Sequence, residues 1–131
     1  MRTGMPVSVI DASALTALAF NESEAAAVSE MLEGQTLAAP ALVIYEVGNA
    51  CWKKCRRYPA SAAVFREAFA DVPKMGIELF VIEPARVLAV AEKCGVTFYD
   101  AAYVWLADRL NARLVTLDRR LQQLIEVSSS R

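Results

Sequence analysis

The sequence contains no histidine. That absence excludes Ser/His and Cys/His nucleophile pairs, imidazole acid and base catalysis, and almost every ordinary zinc or iron site. Cysteine is scarce and unpatterned: Cys51, Cys55 and Cys94 form no C-x-x-C pair and read as small buried apolar residues in a reducing compartment, with a local Cys51–Cys55 disulfide left open. None of the five glycines builds a Gly-rich phosphate loop. Long hydrophobic runs are missing as well. The longest, residues 37–45, is interrupted by Pro40 and closed by Glu46, well short of the roughly 18 residues that a membrane span needs. Asp11 follows the apolar run 7–10 too soon for a secretory signal, so a soluble cytoplasmic protein is expected. The net charge of −1 and pI near 5.5 provide no global basic field. Any contact with nucleic acid must therefore be local or bridged by metal.

What is present fits one domain over residues 1–131, long enough for a real core and too short for two. A hydrophobic fraction of 56% and a mean hydropathy of +0.31 are high for a small monomer, which suggests apolar surface covered by a partner, a homodimer being the simplest case. Short β-branched or apolar runs at 7–10, 36–39, 76–82 and 114–117 read as strands. Between them lie helical segments at 12–20, 40–57, 59–71, 84–94 and 98–110, with a last helix from Asp118 to about residue 126 and a frayed tail at 128–131. Asn21 and Glu24 form an N-x-x-E start for a further helix ending at Gly34. Strands alternating with helices predict an α/β domain with a mainly parallel sheet, whose functional site lies at the carboxyl ends of the strands.

Four carboxylates stand at those joints: Asp11, Glu46, Asp100 and Asp118. Taken singly, Asp11 reads equally as a cap of the first helix, Asp118 as a cap of the last, and Asp100 as half of a T-x-x-D capping box with Thr97. Glu46 is harder to dismiss. It shares an inward helical stripe with Leu42, Val43 and Ala50, where an unpaired charge would cost several kcal/mol. Asn49, one turn on, is placed to orient it. Ser13 and Thr116, two residues from Asp11 and Asp118, point to the same joints. A cluster of acids without histidine has one main chemical use, which is holding hard divalent cations such as Mg²⁺ or Mn²⁺. The remaining charged and aromatic features read as structural. Lys53, Lys54, Arg56 and Arg57 complement a helix dipole on a solvated face in preference to forming an RNA-binding patch, Arg119 and Arg120 are expected in ordinary ion pairs rather than on substrate phosphates, and Trp52, Tyr99, Tyr103 and Trp105 in core or interface rather than as base-stacking platforms.

The segments V-S-V-I-D-A-S-A-L, E-V-G-N from Glu46, T-F-Y-D-A-A-Y-V from Thr97 and L-V-T-L-D-R-R-L from Leu114 occur in an order and spacing that resembles the PIN domain, in particular the VapC toxins of toxin-antitoxin pairs. The resemblance covers essentially the whole chain. It implies a three-layer α/β sandwich with a mainly parallel sheet of four or five short strands. It also implies an Mg²⁺- or Mn²⁺-dependent endoribonuclease whose acidic quartet matches Asp11, Glu46, Asp100 and Asp118, supported by Ser13 and Thr116. RNA would be the substrate, cut to leave a 5′-phosphate and a 3′-hydroxyl, and a small VapB-like antitoxin the partner.

Other readings remain at this point. The fold could serve a PIN nuclease of RNA processing rather than a toxin, or a module that holds RNA or protein without cutting. A receiver or phosphatase domain also gathers acids at strand ends. The receiver expects paired acids after its first strand and the phosphatase D-x-D, whereas here the strand ends D-A-S.

Overall fold

The structure is a computed structural model that describes residues 5–129, with side chains to residue 125. Four parallel strands, β1 (Val7–Ile10), β2 (Thr36–Pro40), β3 (Glu78–Phe80) and β4 (Arg113–Val115), form a sheet in the order β3-β2-β1-β4. Parallel neighbours need long crossovers, and helices supply all of them. The pair α1 (Ala12–Ala19) and α2 (Ala25–Leu32) joins β1 to β2; α3 (Leu42–Arg57) and α4 (Ala62–Ala70) join β2 to β3. The pair α5 (Pro84–Cys94) and α6 (Phe98–Arg109) leads to β4, and α7 (Arg119–Ser129) follows it. The chain moves outward from β1 to β3 and then returns to the other side of β1. The strand order therefore reverses between β1 and β4, the point at whose carboxyl ends such sheets bind ligands.

β1 is fully enclosed: Ser8, Val9 and Ile10 have no exposed surface, and the Ser8 hydroxyl is satisfied by donating to Gln35 Oε1 at 2.8 Å. β4 lies beside it with Val9 opposite Leu114 and Ile10 opposite Val115. Helix α6 carries apolar residues on most of its circumference, and Ala101, Ala102, Tyr103, Trp105 and Leu106 are all buried. A helix of that kind belongs to the interior. Its alanines let it lie close to the sheet, against β1, β2 and β4. The abundance of alanine therefore serves close helix–sheet packing as well as raising the apolar fraction.

The expected element order is observed, with local corrections. Asn21 does not cap α2; it takes a left-handed φ of 51° in the turn that closes α1, and α2 begins at Ala25 without a side-chain cap. Pro40 ends β2 instead of opening α3, because its register partner is Phe80 and the next amide, Ala41, donates to the Phe80 carbonyl at 2.9 Å. Residues Pro59–Ser61 form a separate 3-10 turn ahead of α4. The expected strand at 76–82 contracts to three residues, since Gly76 at φ 73° still belongs to the preceding turn. The fourth strand stops at Val115, where Thr116 turns its side chain to a different task. Of the tail, Ser128 and Ser129 are helical, and Ser130 and Arg131 lie outside the described residues. All three cysteines are free, with Cys51 and Cys55 each directed at a carbonyl of the α4 region.

Leu106 is 1% exposed at the middle of α6. Leu106→Ala is expected to lower unfolding free energy by about 2–5 kcal/mol through lost burial and a residual cavity. Urea denaturation at constant m-value measures it.

Candidate functional site

Asp11 ends β1 and caps α1, and it is only 5% exposed. Its Oδ1 accepts from the Ala14 amide at 3.0 Å and from Ser13 Oγ at 2.7 Å, while Oδ2 accepts a very short bond from the Thr116 hydroxyl. Each of these two hydroxyls spends its single proton on Asp11 and then accepts from the backbone of the β4–α7 connection. Ser13 Oγ takes the Leu117 amide at 2.9 Å, and Thr116 Oγ1 takes the Asp118 amide at 3.0 Å. Gln122, one turn into α7, donates to the Thr116 carbonyl at 2.8 Å. One buried carboxylate thus fastens β1, α1 and the approach to α7 together.

Asp118 caps α7 through Oδ1, which accepts from Arg120 N at 2.8 Å and Leu121 N at 3.2 Å. Asp100 lies in the first turn of α6. Thr97 forms its half of the capping box by accepting from the Asp100 amide at 3.1 Å, which leaves the Asp100 carboxylate out of that cap bond. Glu46 is half-buried on α3, flanked by the buried Val43 and Val47. Its Oε1 accepts from the Tyr103 hydroxyl of α6 at 2.5 Å. That pairing corrects the expectation for Asn49, which is exposed; Tyr103 orients Glu46 instead. Tyr103 is the partner of Glu46 that the sequence reading missed, although it stands on the same helical face as Asp100, three residues on.

The capping readings therefore hold for Asp11, Asp118 and Thr97, and they do not compete with clustering. Burial raises the pKa of Asp11, with hydrogen bonds from Thr116, Ala14 and Ser13 opposing it and the charge of Asp100 adding to it. Burial also raises Glu46, against the bond from Tyr103, and the charges of Asp11 and Asp100 push it further. Asp100 is raised by burial and by Asp118, and Thr97 and Arg120 pull it back. All four acids are thereby linked through mutual repulsion at one end of the sheet. The Tyr103 hydroxyl is pushed far above the ordinary tyrosine range by burial and by Glu46, so it stays a donor. Neither Arg119 nor Arg120 closes an ion pair among the described residues, contrary to expectation. Two clefts lie elsewhere, one of about 680 Å³ beside Val7, Ile77 and Phe80, the other of about 630 Å³ between Leu18, Leu32 and Met75.

The donor set is entirely oxygen, which suits a hard divalent cation. Among the described residues no three acids are grouped closely enough for a closed cage. Mg²⁺ does not require one, since it keeps several waters and takes one or two carboxylates together with substrate phosphate. The open arrangement fits that habit.

A family model for the PIN domain matches residues 8–126. The chain belongs to the PIN domain family. It is 38% identical over 123 residues to Ribonuclease VapC3 of Pyrobaculum aerophilum, covering 88% of this chain and 92% of that protein. Exonuclease VapC9 of the same organism is 39% identical over 121 residues, covering 89% and 85%. Among solved structures, the crystal structure of PAE2754 from Pyrobaculum aerophilum superposes with a TM-score of 0.72 at 30% identity, over 95% of this chain and 91% of that one. The four-stranded parallel sheet of this PIN domain agrees with the expected α/β fold.

The raised acids imply a sign for pH dependence. Between the ordinary carboxylate pKa near 4 and the higher native values, the native state binds more protons than the unfolded chain, so the contribution of Asp11, Glu46 and Asp100 to stability falls as pH rises through that window. In chelator, Asp100→Asn is expected to melt higher than wild type near pH 7, with the difference shrinking toward pH 4. Calorimetric melts across that range check it; a difference independent of pH would contradict the repulsion.

Proposed function

We propose that this PIN domain is a divalent-metal-dependent endoribonuclease, the toxin of a VapBC-type pair. The observation that carries this reading is the buried Asp11 carboxylate, locked by Ser13 and Thr116, with the charges of Glu46 and Asp100 set against it and Asp118 set against Asp100. Such strain is relieved by a cation and is hard to explain by capping alone. Of Asp11, Glu46, Asp100 and Asp118, one or two would hold the ion directly and the others through its waters. When bound, Mg²⁺ or Mn²⁺ supplies positive charge that offsets the phosphodiester and acidifies the attacking water. The chain's own residues set the geometry. Ser13 and Thr116 aim Asp11, Tyr103 aims Glu46, and Asp118 stays anchored to the first turn of α7. The amino ends of α1, α6 and α7 converge on the same edge and favour an anionic substrate there. Hydrolysis breaks the P–O3′ bond and leaves a 5′-phosphate and a 3′-hydroxyl.

The names of the curated relatives support RNA as the substrate and an antitoxin as the partner. An antitoxin segment with a cationic side chain would quiet such a site by replacing the metal's charge. No helix among the described residues is long and apolar enough to cross a membrane, and action in the cytoplasm is part of the proposal. A homodimer is part of it too, supported by the aliphatic surface that Leu79, Val81 and Leu88 expose in and after the edge strand β3. Light scattering at micromolar concentration is expected to report twice the mass of one chain; monomer alone would remove the dimer.

The decisive variant is Asp100→Asn. It keeps the backbone amide that Thr97 caps and removes one charge from the cluster, so the fold is expected to survive while turnover drops by roughly 10² or more. Stabilisation by Mg²⁺ or Mn²⁺ in thermal melts is expected to shrink with it. A circular RNA serves as substrate, because an enzyme that needs an end leaves it intact, an outcome that would favour the activity for which Exonuclease VapC9 is named. Full activity in Asp100→Asn with unchanged metal stabilisation would remove this residue from the site.

A further inference from the structure

The acidic site poses a problem that its metal solves only in part. A polyanionic substrate must be held near four carboxylates by a protein of net charge −1, so cations and stacking surfaces are needed nearby. Helix α3 carries both. Tyr45, the residue before Glu46, is 79% exposed, and Trp52 is 55% exposed. With Asn49 and Arg56, also exposed, they fall at i, i+4, i+7 and i+11, which is one narrow stripe of a helix. The stripe is about 16 Å long at 1.5 Å per residue. It begins at Tyr45, in the first turn of α3 and one residue before Glu46, and ends among cations: the Arg56 guanidinium lies 4.9 Å from the Trp52 ring centroid, and Lys53 is exposed next to it. Lys54 does not belong to it, since it pairs with Glu22 and covers Phe20. Trp52 is therefore not a core residue, and Lys53 and Arg56 stand on a solvated face as expected.

Given the ribonuclease reading, on which this inference rests, we propose that the Tyr45–Trp52–Arg56 stripe is the track for single-stranded RNA entering the acidic site. Bases stack on the Tyr45 and Trp52 rings, and Arg56 and Lys53 meet phosphates. Charge complementarity favours RNA over a second copy of the chain, because a copy would bring the same cations against this stripe. Two exposed rings on one helix face can take unpaired bases and have little purchase on a duplex, so this stripe is expected to prefer unpaired RNA.

The test measures binding apart from cutting. Asp100→Asn protein is titrated with a fluorescent single-stranded RNA of ~10 nucleotides, long enough to span the ~16 Å stripe, and anisotropy is followed. Tyr45→Ala and Trp52→Ala are each expected to weaken binding about tenfold, with Tyr45→Phe and Trp52→Phe restoring it because stacking needs only the ring. Arg56→Gln is expected to reduce the slope of log affinity against log salt by about 0.7. A duplex of the same sequence is expected to bind weakly and to be indifferent to all of these changes. Unchanged affinity in Tyr45→Ala and Trp52→Ala overturns the track, even if the wild-type protein cleaves RNA. Conversion of a dimer to monomer by Trp52→Ala in light scattering also overturns it and assigns the stripe to a second copy. Failure of the ribonuclease reading is seen separately, as wild-type protein that binds the RNA through the stripe and never cuts it.

Discussion

A carboxylate withdrawn from water and held by two hydroxyls is the interaction around which this domain is organised. Asp11 could not remain at 5% exposure without donors, and Ser13, Thr116 and the Ala14 amide supply them. Because each hydroxyl also accepts from the Leu117 or Asp118 amide, satisfying the acid ties the end of β1 to the start of α7. Losing the Thr116 hydroxyl would leave the buried Oδ2 without a donor, at about 1–3 kcal/mol. The same bonds that make the burial tolerable set the direction in which the acid faces its neighbours.

None of the other three acids closes a salt bridge with a cationic side chain among the described residues. Glu46 receives a neutral phenol, and Asp100 has Arg120 only as a more distant influence. An apoprotein of this design carries electrostatic strain by construction, as ion-binding sites do when the cation supplies the missing charge. Stability is contributed elsewhere, by the packing of α6 against β1, β2 and β4. The rigid, alanine-lined core and the strained rim are complementary parts of one arrangement, since only a well-packed scaffold holds like charges together.

Surface features gain meaning from their position relative to that rim. The aromatic and cationic stripe on α3 would be unremarkable on a helix remote from the acids, but it starts one residue from Glu46. The aliphatic residues after β3 occupy a different element. Separate faces for RNA and for a second copy would let both be engaged at once.

Much of the site was legible in the chain. Strand ends followed by Asp-Ala-Ser and by Thr-x-Asp mark carboxyl-end joints, and period-two spacing places Ser13 and Thr116 beside them, because these are local geometric rules. The element order, the parallel sheet and the four acids all followed from such rules or from the family likeness they completed. The misreadings share a physical cause. Asn21 has the chemistry of a cap, but the turn closing α1 uses its tolerance of positive φ instead. Asn49 was favoured as the partner of Glu46 because it is one turn away, whereas Tyr103 reaches it from 57 residues away across the α3–α6 contact. Trp52 read as core or interface, and the packing of α3 removes the first of these by turning Val43, Val47 and Cys51 inward and leaving the indole outside. The sequence by itself determined which residues could bear charge, cap a helix or fill a core. Tertiary structure alone decided which of them meet, because a contact between distant segments depends on how whole faces pack, and no local spacing encodes that.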